Sequence, residues 1–405
     1  MHGAKNSALP LLAASLLCTQ PCLLRNCPHL SDVDTAITIL RRLGCRVSAE
    51  GDAVSVDART MSSCTIPDAL MREMRSSIIF LGAIIGRMGE ASLSFPGGCE
   101  LGPRPIDLHL QALRRLGVQI TEDHGRLLCT APNGLQGAQI TLSFPSVGAT
   151  ENVLIAAATA KGTTVLENAA HEPEIEDLAG FLNACGARIA GAGTSTVTIE
   201  GVQRLSGCAY RVIPDRIAAA TYLAAAAATG SKLTLRGVVV RHLVPVLPAF
   251  EEAGCRLTAT GDTLTLAPPK VLQRVRCIRT MPYPGFPTDA QAPLMAMTTV
   301  AQGTSVFIEN IFEERYKHVG ELLRMGANIH VNGRVAVVEG VPSLSGAPVE
   351  AADLRGGAAL VIAGLAAQGT TILSGVHHID RGYEGIEQIL RALGAEIERI
   401  PETED

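Results

Sequence analysis

A five-residue phrase built around glycine recurs six times along the 405 residues. It reads Leu43-Gly44-Cys45-Arg46-Val47, Leu116-Gly117-Val118-Gln119-Ile120, Cys185-Gly186-Ala187-Arg188-Ile189, Ala253-Gly254-Cys255-Arg256-Leu257, Met325-Gly326-Ala327-Asn328-Ile329 and Leu393-Gly394-Ala395-Glu396-Ile397. Successive glycines lie 68 to 73 residues apart. A second glycine alternates with the first, at Gly89, Gly162, Gly230, Gly303 and Gly369, each behind an apolar stretch with helical spacing. Such a glycine suits a helix C′ position, where the backbone needs positive φ. A strand is expected after each. Behind the first phrase, alternating runs such as residues 53–57, 196–200 and 335–339 would close a hairpin. One unit is therefore helix, strand, helix, hairpin. That period is longer than a solenoid repeat and mixes both element types. Six units suggest an α/β chain of two globular domains with three units each. Pro214 places the crossing: residues 5–213 form the N-terminal domain, and residues 214–405 with residues 1–4 form the C-terminal one. A site in the cleft between such halves is the expected form.

Composition narrows the function. Lys and Arg total 34 against 39 Asp and Glu, so a basic nucleic-acid binder is excluded as a default. Aromatic residues make up 3% and Trp is absent, which argues against stacking platforms for bases or sugars. The eleven cysteines show no CxxC pair and no accompanying His cluster. Most read as small core residues in a reducing cytosol, with neither a disulfide framework nor a metal site. Residues 8–24 imitate a signal peptide, but Pro10 and Thr19-Gln20-Pro21 interrupt the run. It reads as a buried helix. The Ala-rich residues 217–229 are too few to span a bilayer. The expectation is a cytoplasmic protein with no membrane segment. No P-loop or dinucleotide fingerprint is present, so no cofactor is expected.

Several short motifs lie on this repeat map in one order. They are Gly3-Ala4-Lys5-Asn6, Met74-Arg75-Ser76-Ser77, Pro96-Gly97-Gly98-Cys99, Gly102-Pro103-Arg104-Pro105-Ile106-Asp107-Leu108-His109 and Pro145-Ser146-Val147-Gly148. Further on come Glu172-Pro173-Glu174-Ile175, Pro214-Asp215-Arg216, Tyr283-Pro284-Gly285-Phe286-Pro287-Thr288-Asp289, Asp353-Leu354-Arg355 and His378-Ile379-Asp380-Arg381. Together with the six βαβαββ-like units they resemble the enolpyruvyl transferase family, whose fold is a two-domain inside-out α/β barrel. The local motifs are similar to the branch acting on UDP-N-acetylglucosamine. The resemblance implies transfer of the enolpyruvyl group of phosphoenolpyruvate to the 3′-hydroxyl of that nucleotide sugar, with release of phosphate. It also implies a role opening peptidoglycan synthesis, and a monomer with these two small molecules as its partners.

In that reaction an acid protonates C3 of the enol, a base takes the hydroxyl proton, and cations hold the anionic groups. Cys99 is the candidate acid. It follows two glycines with Arg104 five residues on, a setting that favours a low thiol pKa rather than core burial. Asp289 is the candidate base, although its place before an apolar helix equally suits a cap or first-turn acid. The resemblance assigns Lys5, Arg75, Arg104, Arg355 and Arg381 to the phosphates and carboxylate, with Lys5 and Arg381 at the reacting centre. It gives Asn6 to the sugar, Ser146, Val147 and Gly148 to a nucleotide phosphate, Pro105, Asp107, Leu108 and His109 to the uridine wall, and Ile311 and Phe312 to the sugar side. Each of these also has an ordinary packing or surface reading. Cations spread over both halves imply domain closure around the ligand.

The family's chain begins further upstream, with a strand that returns to the C-terminal domain. Here Met1 stands three residues before the Ala-Lys-Asn motif, so that strand is expected to be missing. Two alternatives stay open: an enzyme of the shikimate 3-phosphate branch, and a catalytically weak paralogue that binds a UDP-sugar.

Overall fold

The computed structural model describes residues 1–96 and 106–400. The six phrase glycines all have φ between +89° and +103°, each one residue past a helix C-cap. A side chain would be strained there, which is why the phrase keeps glycine while its neighbours vary.

The chain divides into two compact units. One comprises His2–Asp215 with Pro282–Pro284; the other comprises Met1, Arg216–Met281 and Gly285–Asp405. In the first unit the same sheet recurs. Thr163–Glu167 lies between the parallel entry strand Gln139–Thr141 and the antiparallel strand Thr196–Glu200, which pairs on to Arg188–Ala190. Glu90–Ser94 pairs with Arg126–Thr130 and that with Gln119–Asp123, and a single bridge from Thr65 to Ser92 replaces the entry strand. Cys22–Arg25 takes its parallel neighbour, Ala209–Arg211, from the far end of the unit, and continues through Ala53–Asp57 to Arg46–Glu50. The three repeats thus close on one another.

Inside lie the largely buried helices Lys5–Ala14, Phe80–Met88 and Val147–Ala157. The amphipathic helices Ser31–Arg42, Asp107–Arg115 and Pro173–Ala184 turn one polar stripe to solvent. Sheets therefore sit outside and helices at the centre. Burying so short and apolar a helix as Lys5–Ala14 is what allows Pro10 inside it, since the neighbouring helices fix its path.

The second unit repeats this plan. Arg216–Ala228, Gln291–Thr298 and Leu354–Ala366 pack against one another in its core. The Ala-rich stretch is the first of these, and among the described residues no helix is long and apolar enough to cross a membrane. Its sheets run Leu233–Arg236, Thr263–Ala267, Arg256–Thr260 and Cys277–Arg279, Thr304–Ile308, Val335–Glu339, Asn328–Asn332. The sixth repeat departs from the expected pattern. It keeps two parallel pairs, Leu344–Ser345 with Ala367–Gln368 and Pro348–Glu350 with Ile372–Ser374. Residues 395–400 form no strand, although the glycine phrase before them is intact. In the other repeats this strand is held by a hairpin partner that follows it; here none follows among the described residues. The seven sheets contain two to four strands each, and none closes on itself as a barrel among the described residues.

Candidate functional site

In the second unit the structure gathers charge around Asp289. This residue lies in the short 3₁₀ turn Thr288–Ala290 that leads into Gln291–Thr298. Arg315 Nη2 donates to Asp289 Oδ1 at 2.8 Å, and Arg355 Nη2 donates to Oδ2 at 3.2 Å. Both guanidinium side chains are nearly inaccessible, at 2% and 3%, while Asp289 keeps 28% of its side chain open. A carboxylate in this setting faces outward with its charge balanced from behind. Each arginine bond also occupies lone pairs that a proton acceptor needs, and the longer one, from Arg355, is the more easily exchanged for an anion.

Each arginine is itself oriented. Arg355 enters Leu354–Ala366, whose N-cap Asp353 accepts from the Arg355 and Gly356 amides at 3.0 and 2.9 Å. Its guanidinium lies 5.2 Å above the Tyr383 ring. Arg315 also donates to the Thr288 carbonyl at 3.0 Å and stacks 5.6 Å from the Phe312 ring. Phe312 and Ile311 are held by Glu309, which accepts from their amides at 3.0 and 2.8 Å and from the Thr288 hydroxyl at 3.0 Å. One buried acid thus fixes both the loop bearing Ile311 and Phe312 and the turn bearing Asp289. Arg381 directly follows the short helix His377–Asp380 and is half-buried.

In the first unit Lys5 opens the helix Lys5–Ala14, and its ammonium meets Asp32 Oδ2 at 3.0 Å. Asp32 sits in the first turn of Ser31–Arg42, where the helix dipole favours an acid. Asn6 follows Lys5 and is half-buried. His109, on Asp107–Arg115, is buried and faces Asn152 through Nδ1 at 2.7 Å. The Asn152 amide is oriented by the Gly82 amide at its oxygen and the Ile78 carbonyl at its nitrogen. Its NH₂ therefore donates to His109, which leaves the imidazole proton on Nε2. Burial, and then the charge of Arg75, push the His109 pKa down to about 4, so the ring is neutral at neutral pH.

A Cβ at Gly148 would stand 2.9 Å from His109 Cε1 and 3.2 Å from Nε2, so any larger residue there must displace the ring. Ser146 caps the helix Val147–Ala157 through a 3.4 Å bond from the Ala149 amide. Val147 and Gly148 open that helix, so their amides stand at its unsatisfied end. Asp107 is exposed and Leu108 half-buried on the turn before His109. Cys99, Arg104 and Pro105 lie outside the described residues.

The expected residues therefore meet in two groups, Asp289 with Arg355 in one unit and Arg75, His109 and Gly148 in the other. Arg315, Glu309, Asp32 and Asn152 escape sequence reasoning. The pattern Phe312-Glu313-Glu314-Arg315 was the available signal for Arg315. For the other three none exists without the partner's position.

The fold also brings together cysteines that lie far apart in the sequence. Cys18, Cys22 and Cys185 are buried with their sulfurs within 4.8 Å of one another, and Cys185 Sγ lies 3.3 Å from Cys208 Sγ. The spacing that conceals this is C-x₃-C at residues 18–22, completed from more than 160 residues downstream. Thiol hydrogen bonds from Cys18 and Cys185 pull the Cys22 pKa down.

Comparison with known proteins agrees with this architecture. The sequence matches the family described as EPSP synthase (3-phosphoshikimate 1-carboxyvinyltransferase) over residues 1–390. It is 52% identical over 400 residues to a protein of Caldanaerobacter subterraneus subsp. tengcongensis named UDP-N-acetylglucosamine 1-carboxyvinyltransferase 2, covering 99% of this chain and 96% of that one. A Carboxydothermus hydrogenoformans protein named UDP-N-acetylglucosamine 1-carboxyvinyltransferase 1 is 48% identical, covering 99% and 94%. The crystal structure of the enolpyruvyl transferase NikO from Streptomyces tendae superposes with a TM-score of 0.86 at 27% identity, over 98% of this chain and 94% of that one. EPSP synthase from Acinetobacter baumannii, at 18% identity, shares the fold with a TM-score of 0.74 over 96% and 94%. The repeat architecture, the near-complete family match and these full-length relatives together establish that the chain belongs to the enolpyruvyl (carboxyvinyl) transferase family.

Proposed function

We propose that this chain transfers the enolpyruvyl group of phosphoenolpyruvate to the 3′-hydroxyl of UDP-N-acetylglucosamine and releases phosphate. The observation that carries the reading is Asp289, a partly open carboxylate backed by two buried guanidinium groups. It offers a proton acceptor beside cations that suit a substrate bearing both phosphate and carboxylate. The names of the relatives about half identical to this chain select the nucleotide sugar over shikimate 3-phosphate.

The chemistry assigned to the residues is addition followed by elimination. The Cys99 thiol protonates C3 of phosphoenolpyruvate while the sugar oxygen bonds to C2 and Asp289 takes the hydroxyl proton. The tetrahedral ketal then loses a C3 proton and phosphate, which restores the double bond. The thiolate of Cys99 is also able to add to the enolpyruvyl carbon. Lys5, Arg75, Arg104, Arg355 and Arg381 hold the anionic groups, with Lys5 and Arg381 at the reacting centre. Asn6 bonds the sugar, Ser146, Val147 and Gly148 meet a nucleotide phosphate, and Pro105, Asp107, Leu108 and His109 wall the uridine. Ile311 and Phe312 face the sugar. His109 suits a wall because it is neutral and fixed. On this reading the chain works in the cytoplasm at the entry to peptidoglycan synthesis, as a monomer without cofactor.

Phosphate release from phosphoenolpyruvate tests the reading, with either UDP-N-acetylglucosamine or shikimate 3-phosphate as acceptor. Release with the nucleotide sugar alone, abolished by Cys99→Ala, is the predicted result. Release with shikimate 3-phosphate alone overturns the acceptor, and release with neither overturns the activity.

A further inference from the structure

The cluster of Cys18, Cys22, Cys185 and Cys208 serves no step of the reaction above. Three features of the backbone build it. Thr19 donates its amide to the Leu205 carbonyl at 2.9 Å, and Cys18 bridges Leu205, which brings the turn after the first helix against residues 205–208. The parallel ladder pairs Leu23 with Ala209, so Cys22 and Cys208 stand side by side one position earlier. Ser206 donates its amide to the Cys185 carbonyl at 2.7 Å, which pins the C-cap of Pro173–Ala184 to the same place. Three sulfurs are thus delivered to one point, with the Cys208 sulfur beside that of Cys185, by hydrogen bonds that would exist without them.

Cysteine content alone does not explain this arrangement. Cys27, Cys45, Cys129 and Cys255 are also buried, and they join no such group among the described residues. Those four behave as small apolar residues. The cluster differs in having several sulfurs turned toward one another, with no carboxylate or imidazole among them.

We propose that Cys18, Cys22 and Cys185, with Cys208 as fourth donor, form a binding site for a thiophilic d¹⁰ cation, Zn²⁺ or Cu⁺. A tetrahedral zinc with bonds of about 2.3 Å holds its sulfurs roughly 3.8 Å apart. Three sulfurs already within 4.8 Å of one another, and a fourth 3.3 Å from one of them, reach that spacing by small side-chain rotations. An all-sulfur donor set selects soft ions over Mg²⁺, Ca²⁺ or Mn²⁺. Binding displaces thiol protons into solvent and leaves the sulfurs as thiolates, so it involves no redox step. The bound ion would tie the end of the helix that carries Lys5 to the end of Pro173–Ala184, and so stabilise the first unit.

The test uses the full chain carrying Cys64→Ser, Cys99→Ala and Cys277→Ser, so that thiols outside the cluster do not contribute. Chelator-stripped protein is titrated anaerobically, under reductant, with Cd²⁺, Zn²⁺ or Cu⁺ in separate arms. The expected result is one ion per chain, a sulfur-to-metal charge-transfer band with Cd²⁺, a sulfur-only shell by X-ray absorption and a raised melting temperature. Cys18→Ser should lower affinity by more than ~100-fold, beyond the loss typical of a supporting residue. Cys208→Ser is half-exposed and keeps the buried packing, so it guards against a folding failure in the first variant; it should weaken binding while circular dichroism stays unchanged. Failure to retain any of the three ions overturns the proposal. So does binding that survives Cys18→Ser together with Cys185→Ser.

Discussion

Replacing Asp289 by Asn keeps the side-chain shape and removes the charge, which separates two claims made for this residue. Asp289 accepts two charge-assisted hydrogen bonds, each worth ~1.5–3 kcal/mol in general. Its side chain is 28% open to solvent, so part of that value is screened. Arg315 and Arg355 are almost fully enclosed, and both would lose the anionic acceptor they share. Asp289→Asn should therefore destabilise the fold by ~2–3 kcal/mol, less than the loss of a fully buried pair. Removal of a general base should lower turnover by ~10²–10⁴-fold. Urea unfolding measures the first effect. Initial rates of phosphate release, with acceptor affinity measured separately by calorimetry, give the second. Unchanged turnover in a destabilised variant would refute the base assignment. Unchanged stability would refute the charge balance described around Asp289.

Three further outcomes follow from the geometry. Gly148→Ala should cost ~1–3 kcal/mol, because the new methyl meets a His109 ring that Asn152 holds in place; it should also weaken UDP-sugar binding about tenfold by calorimetry. Lys5→Ala removes the charge-assisted bond to the buried Asp32 carboxylate and should lose ~1.5–3 kcal/mol; adding Asp32→Ala should restore part of the stability and none of the turnover, and recovery of turnover would refute the role given to Lys5. His109 titrates near 4 in the fold against an ordinary 6.5, so the unfolded chain binds more protons between those values and stability falls as pH drops through that window. At about 1.36 kcal/mol per pKa unit the native protein should lose ~3 kcal/mol more than His109→Gln between pH 7 and pH 4. Burial, followed by the charges of Glu174 and Glu172, raises the Glu151 pKa and acts in the opposite direction, but it is common to both proteins and cancels in the comparison.

Local rules carried the repeat well. A helix ending at a glycine with positive φ, followed by an alternating strand, depends on neighbours a few residues away, and residues 53–57, 196–200 and 335–339 form strands within those bounds. The same rules failed at residues 395–400, because a strand also requires an edge to pair with and sequence pattern does not report one. Motif residues such as Asp289, Arg355 and His109 stand out because loops and helix starts carry uncommon residue combinations. Their partners do not. Asn152 lies on a helix buried on every side, Asp32 looks like an ordinary first-turn acid, and Glu309 follows a strand that gives no reason to bury a charge. The cysteine cluster is hidden for the same reason, since a parallel ladder between residues 23 and 209 creates its geometry and neither half shows it alone.

The central claim concerns where the enolpyruvyl group ends. Nuclear magnetic resonance of the product formed from phosphoenolpyruvate and UDP-N-acetylglucosamine tests it directly. The expected product is a vinyl ether whose quaternary carbon correlates with the proton on sugar carbon 3′, formed in step with free phosphate. An unmodified sugar after full consumption of phosphoenolpyruvate, or attachment at another hydroxyl, would contradict it.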